Sequence, residues 1–75
     1  MLKPTRALIG FGQIVRINRQ SHGLNQTLFA GKCGLNRTYL SELERGKRNP
    51  SLLTIECIAK ALRISISALC TSIDS

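Results

Sequence analysis

Acidic residues are scarce in this chain. Four Asp and Glu stand against 11 Lys and Arg in 75 residues, a formal net charge of +7, and none precedes Glu42. A surface of that sign suits DNA, RNA or an anionic lipid surface, and sign alone does not choose among them. His22 is the only histidine, and the three cysteines (Cys33, Cys57, Cys70) form no CxxC pair. A zinc site therefore lacks paired ligands and a disulfide framework lacks partners, so free thiols in a reducing cytoplasm and no metal or cofactor are expected. No apolar run nears the roughly 18 residues of a membrane span. The stretch Ala7–Val15 is short, carries Gln13 and leads straight into Arg16 with no small-residue cleavage site, which argues against a secretory signal. Gly10 and Gly12 lack the preceding strand and third glycine of a dinucleotide fingerprint. No nucleophile-elbow glycine pattern surrounds a serine, and His22 has no nucleophile and carboxylate at a telling spacing. An enzyme is not expected.

What is present is helix. The length allows one domain over residues 1–75, and hydrophobic residues at 43% suffice for a core. So short a chain buries a modest share of its surface, so self-association is the expected additional support. Leu8, Phe11 and Val15 recur at helical spacing within a first helix over about 5–20, which Gly23 would end. Gly10 and Gly12 should weaken the start of that helix by roughly 0.5–1 kcal/mol each relative to Ala. Asn25 caps a second helix reaching about Cys33, and Gly34 turns the chain. Asn36 caps a third helix through Arg45, with Gly46 beyond it. Ser51 caps a fourth helix with Ile55, Ile58, Ala59 and Leu62 inward. Ser65 or Ser67 opens a last short helix, and a tail over about 72–75 should fray.

The second and third helices are short and joined by only a few residues around a glycine. Such a link forces the sharp angle of a helix-turn-helix, over about 25–46. Small Ala30 allows close approach at the crossing, with Leu28, Phe29, Leu40 and Leu43 filling the contact. The polar face of the third helix is left free to meet a partner.

The run LNQTLFAGKCGLNRTYLSELERGKRNPSLLTIECIAKAL, Leu24 to Leu62, resembles the Cro/repressor-type helix-turn-helix family. Gln26, Ala30, Gly34, Leu40 and Leu43 carry the match. Within it, NRTYLSELERGKRN is most similar to the recognition helix of the small controller proteins of restriction–modification systems. The resemblance implies an all-α, compact five-helix bundle containing a helix-turn-helix, the lambda-repressor-like DNA-binding domain. Asn18 stands at a first-helix position that is usually apolar in the family, and Ile17 where charge is usual. Gly31 interrupts the second helix at a cost of up to about 1 kcal/mol.

Double-stranded DNA is the expected partner. A recognition helix lies in the major groove with its N-terminal residues toward base edges, which selects Arg37 and Thr38, with Ser41 one turn on. Arg can donate a bidentate pair to guanine, and Thr can hydrogen-bond or offer its methyl to thymine. Tyr39 suits a phosphate or sugar, and Ser41 and Tyr39 also fit a merely solvated face. Asn25, Gln26 and Asn36 stand at helix N-termini, where free N–H groups favour phosphate. Arg45, Lys47, Arg48 and Asn49 follow toward the adjacent backbone. Glu42 suits cytosine N4 or plain exposure. The resemblance implies that Gln26 braces the recognition helix and that Glu44 pairs with an arginine of the first helix, which the register identifies as Arg19.

One recognition helix covers too few base pairs for specificity, so a homodimer on an inverted repeat is expected. Leu53, Cys57, Ile66, Cys70 and Ile73 form its candidate interface. The function expected is a cytoplasmic transcriptional regulator of a restriction–modification operon, with RNA polymerase as a further partner. Two other readings fit part of the pattern: an antitoxin of the same fold, and a cationic amphipathic protein that binds RNA or membranes without sequence preference.

Overall fold

Each helix begins where a side-chain oxygen accepts one of the orphan N–H groups of its first turn. The computed structural model describes residues 5–71, in which α1 (Arg6–Ser21), α2 (Gln26–Cys33), α3 (Arg37–Glu44), α4 (Leu52–Leu62) and α5 (Ile66–Leu69) follow one another. Asn25 Oδ1 accepts from Leu28 N–H at 2.8 Å, and Asn36 Oδ1 accepts from Thr38 N–H at 2.7 Å and Tyr39 N–H at 3.3 Å. Thr5, Ser51 and Ser65 cap α1, α4 and α5 in the same way. Each such cap is worth about 1 kcal/mol, a large share for helices of eight residues or fewer.

The first four helices also end alike. In each, an N–H just past the helix returns to the carbonyl five residues back: Leu24 to Arg19, Leu35 to Ala30, Lys47 to Glu42 and Ile64 to Ala59. The turn needs one left-handed residue. Gly34 supplies it between α2 and α3 at φ +67°, a conformation that strains a side chain and that glycine, without a Cβ, adopts freely. After α4 the same place is filled by Arg63 at φ +58°, the one non-glycine left-handed residue among those described. That substitution costs α4 roughly 1 kcal/mol.

The core is a single cluster. Phe11 and Val15 of α1, Phe29 and Ala30 of α2, Leu40 and Leu43 of α3, Ile58, Ala59 and Leu62 of α4, and Leu69 of α5 are all buried. Helix α1 packs on α3, and α2 packs on both α3 and α4. Leu28 does not join the crossing of α2 and α3; it is 57% exposed. With Phe29, Ala30 and Cys33 facing inward, 100° per residue carries Leu28 roughly 150° from the centre of the buried face. Leu8 and Ile55 are half-buried rather than central. Among the alternatives at the end of the chain, Ser65 opens α5. Ile73 and the 72–75 tail lie outside the described residues.

Gly12 has a stronger reason to be glycine than helix propensity suggests. It is buried against the C-terminal end of α3, where a Cβ would stand 2.5 Å from the Leu43 carbonyl oxygen and 2.6 Å from that of Glu44. No L side chain fits. The propensity lost in α1 permits the backbone of α1 to press directly on α3.

Candidate nucleic-acid interface

Helix α3 is two-sided. Leu40, Leu43 and Glu44 are buried, while Arg37, Thr38 and Arg45 are exposed and Tyr39, Ser41 and Glu42 are half-buried. Arg37 and Thr38 leave the first turn on the free side, with Asn36 ahead of them. The Asn36 side-chain oxygen is committed to the cap, so only its amide N–H groups remain to donate outward. The same holds for Asn25 at the start of α2.

The buried side of α3 is fixed by an ionic network. Arg19 donates to both oxygens of Glu44, from Nε at 2.7 Å and Nη2 at 3.0 Å, and its Nη1 donates to the Leu24 carbonyl at 2.8 Å. Gln26 Nε2 adds a 3.1 Å bond to Glu44 Oε1. Arg19 and Glu44 are each only 7% exposed. Three elements, α1, α2 and α3, are thereby tied at one carboxylate. A buried pair of this kind is tolerated only when its remaining hydrogen-bonding groups are met, as most are here. Gln26 acts within the protein as a brace, and its backbone N–H remains at the α2 N-terminus.

A cleft of about 230 Å³ opens beside this network, lined by Arg16, Arg19, Gln26, Ser41, Glu44 and Arg45. Arg16 and Arg45 are exposed at its rim, one from α1 and one from the end of α3. Arg16 is a cation that sequence reasoning left out of the site. The available signal was its spacing: three residues before Arg19, it lies on the same side of α1.

The exit loop is also engaged. Arg48 donates from Nε and Nη2 to the same Glu42 oxygen, both at 2.8 Å, and its guanidinium stands 5.3 Å from the centroid of the Tyr39 ring. Half of the Arg48 guanidinium is thus occupied within the protein, and Glu42 is neither unpartnered nor fully exposed. Lys47 and Asn49 are exposed on either side of it.

Of the residues expected at a self-association surface, Leu53 is 73% exposed and Ile66 38% exposed, joined by Leu52 at 70%. Cys57 is exposed, whereas Cys70 is half-buried and packs against the core. Cys33 is half-buried as well; burial, with Cys57 nearby, pushes its thiol up to about 11. Among the described residues no group of three or more His, Cys, Asp and Glu is placed to hold a metal, and no helix is long and apolar enough to cross a membrane.

Comparison with known proteins agrees with this geometry. A helix-turn-helix family model matches residues 15–69, which takes in the network, the two-sided helix and every buried core residue but Phe11. The chain belongs to the helix-turn-helix family. This helix-turn-helix chain is 49% identical over 55 residues to the control protein C.BamHI of Bacillus amyloliquefaciens, covering 72% of the chain and 68% of that protein. It is 43% identical over 58 residues to an immunity repressor protein of Bacillus phage phi105, covering 77% of the chain but only 40% of the repressor's length. The restriction–modification controller protein C.AhdI of Aeromonas hydrophila superposes with a TM-score of 0.80 at 44% identity, over 83% of this chain and 94% of that one. The resemblance to controller proteins seen in NRTYLSELERGKRN therefore extends across the five-helix fold.

Proposed function

We propose that this helix-turn-helix chain is a sequence-specific DNA-binding transcriptional regulator that acts as a homodimer on an inverted repeat, in the manner of a restriction–modification controller. The observation that carries the reading is the asymmetry of α3. Its inner side is locked to α1 and α2 through Glu44, while Arg37 and Thr38 stand exposed at its first turn. That is the presentation a major groove requires of a recognition helix.

In this reading Arg37, Thr38 and Ser41 meet base edges. Asn25, the Gln26 backbone N–H, Asn36, Tyr39, Arg45, Lys47 and Asn49 meet the phosphodiester backbone. Arg16 and Arg45 seat a phosphate over the cleft between α1 and α3. Arg48 reaches a phosphate only with the part of its guanidinium that Glu42 leaves free. Leu53, Cys57 and Ile66, with Leu52 and the half-buried Cys70, form the self-association surface, which sets the spacing of the two recognition helices. The chain performs no chemistry on its operator, works in the cytoplasm and acts on transcription through RNA polymerase.

Selection of binding sites from a randomised duplex pool, with sedimentation of the recovered complex, tests the reading. It predicts a two-fold symmetric consensus with half-sites about 10 bp apart, bound by two copies of the chain. Recovery of an asymmetric site bound by one copy, or of no consensus, would remove it.

A further inference from the structure

A second basic surface exists that DNA recognition leaves unused. Lys32 at the end of α2 and Lys60 and Arg63 at the end of α4 converge on a cleft of about 430 Å³, with Cys57 and Ala61 as its remaining lining. All three cations are exposed, and no described carboxylate lies within ion-pair distance of any of them. Helix α3 contributes nothing to this cleft. Lys32 lies six residues beyond Gln26, so the length of α2, about 9 Å at 1.5 Å per residue, separates the cleft from the network at the recognition surface.

From this cleft we infer a docking surface for an acidic segment of a protein partner, one that binds while the recognition helix is occupied by DNA. Three unneutralised cations around one depression call for several negative charges. The form of the site distinguishes which kind. Both helices present their C-terminal ends here, where the last carbonyls, which the capping turns do not use, and the helix dipole repel a compact anion that enters deeply. The long Lys and Arg side chains instead carry their charges out to the rim. Carboxylates spaced along a polypeptide can meet charges so distributed; a single phosphate cannot reach all three without approaching the carbonyls. Half-buried Ala61 leaves a small apolar floor between the cations, and Cys57, which borders the self-association surface, closes its edge.

The inference is tested separately from the DNA-binding reading. A fluorescent polyglutamate peptide of about ten residues is titrated into the protein, free and saturated with its selected operator, at low salt and with inorganic phosphate as competitor. The same titrations are run on Lys32→Gln/Lys60→Gln. The proposal expects the peptide to bind the operator complex without displacing the duplex. In the double variant, peptide affinity should fall about tenfold or more while operator affinity and sedimentation stay unchanged. Displacement of peptide by operator would place the peptide on the recognition surface and overturn the proposal. Equal peptide binding by the double variant, no binding by the wild type, or full competition by phosphate would each overturn it too. Loss of peptide binding in the variant of a protein that selects no operator would leave this cleft standing and remove the regulator reading instead.

Discussion

Two arginine–glutamate pairs hold opposite sides of α3. On the inner side, Arg19 and Glu44 meet at 2.7 Å with side chains 8% and 3% exposed; on the outer side, Arg48 and Glu42 meet at 2.8 Å with side chains 53% and 29% exposed. Chemistry and distance are nearly the same. Burial makes them different objects. The inner pair has lost its water, so each charge depends on the other and on Leu24 and Gln26 for compensation. The outer pair is screened by solvent, so either partner can leave for water or phosphate at a cost below about 1 kcal/mol. The inner side fixes where α3 stands, and the outer side stays free to exchange partners.

Removing one half of each pair should separate them most widely. Glu44→Ala leaves a buried guanidinium unpaired and should cost about 3–5 kcal/mol, much of the stability of a domain this size, read as a collapse of the urea midpoint. Joint replacement of Arg19 and Glu44 by Met and Leu should recover most of that loss, since no charge is then left buried. Glycine substitutions sharpen the same contrast between pressed and open backbone. Gly12→Ala forces α1 away from the Leu43 and Glu44 carbonyls and should cost about 1–3 kcal/mol. Gly31→Ala, in the exposed middle of α2 with nothing within 4 Å of the added methyl, should instead stabilise by about 0.5–1 kcal/mol. Both are read as shifts of the thermal midpoint in opposite directions. Smallest of all, Glu42→Ala should lower stability by less than about 1 kcal/mol, and salt should abolish even that difference.

Local chemistry was plainly written in the chain. Asn25, Asn36 and Ser51 mark helix starts because a short polar side chain is the cheapest partner for orphan N–H groups, and Gly34 marks the turn between α2 and α3. Periodicity alone gives the buried Ile58, Ala59 and Leu62 of α4, while Ile55, on the same stripe, is only half-buried. What was hidden depends on residues distant in sequence. Propensity assigns Gly12 a cost, and only the packing of α1 on α3 shows what that cost permits. Leu28 is apolar yet outward, since an eight-residue helix with two adjacent bulky residues can turn only one of them inward. The hold of Glu42 on Arg48 depends on how the loop after α3 folds back, which spacing does not specify. Arg19–Glu44 was accessible only through family resemblance, because 25 residues separate the partners.

Arg37 is the side chain on which the recognition role of α3 most directly rests, and its removal is best read as a difference between two duplexes. Affinity of Arg37→Ala for the selected inverted repeat and for a scrambled duplex of equal length, at one fixed salt concentration, should diverge. About 1–3 kcal/mol should be lost on the repeat, and far less on the scrambled sequence. Equal losses on both would mean that Arg37 only neutralises phosphate, and that the first turn of α3 does not face the bases.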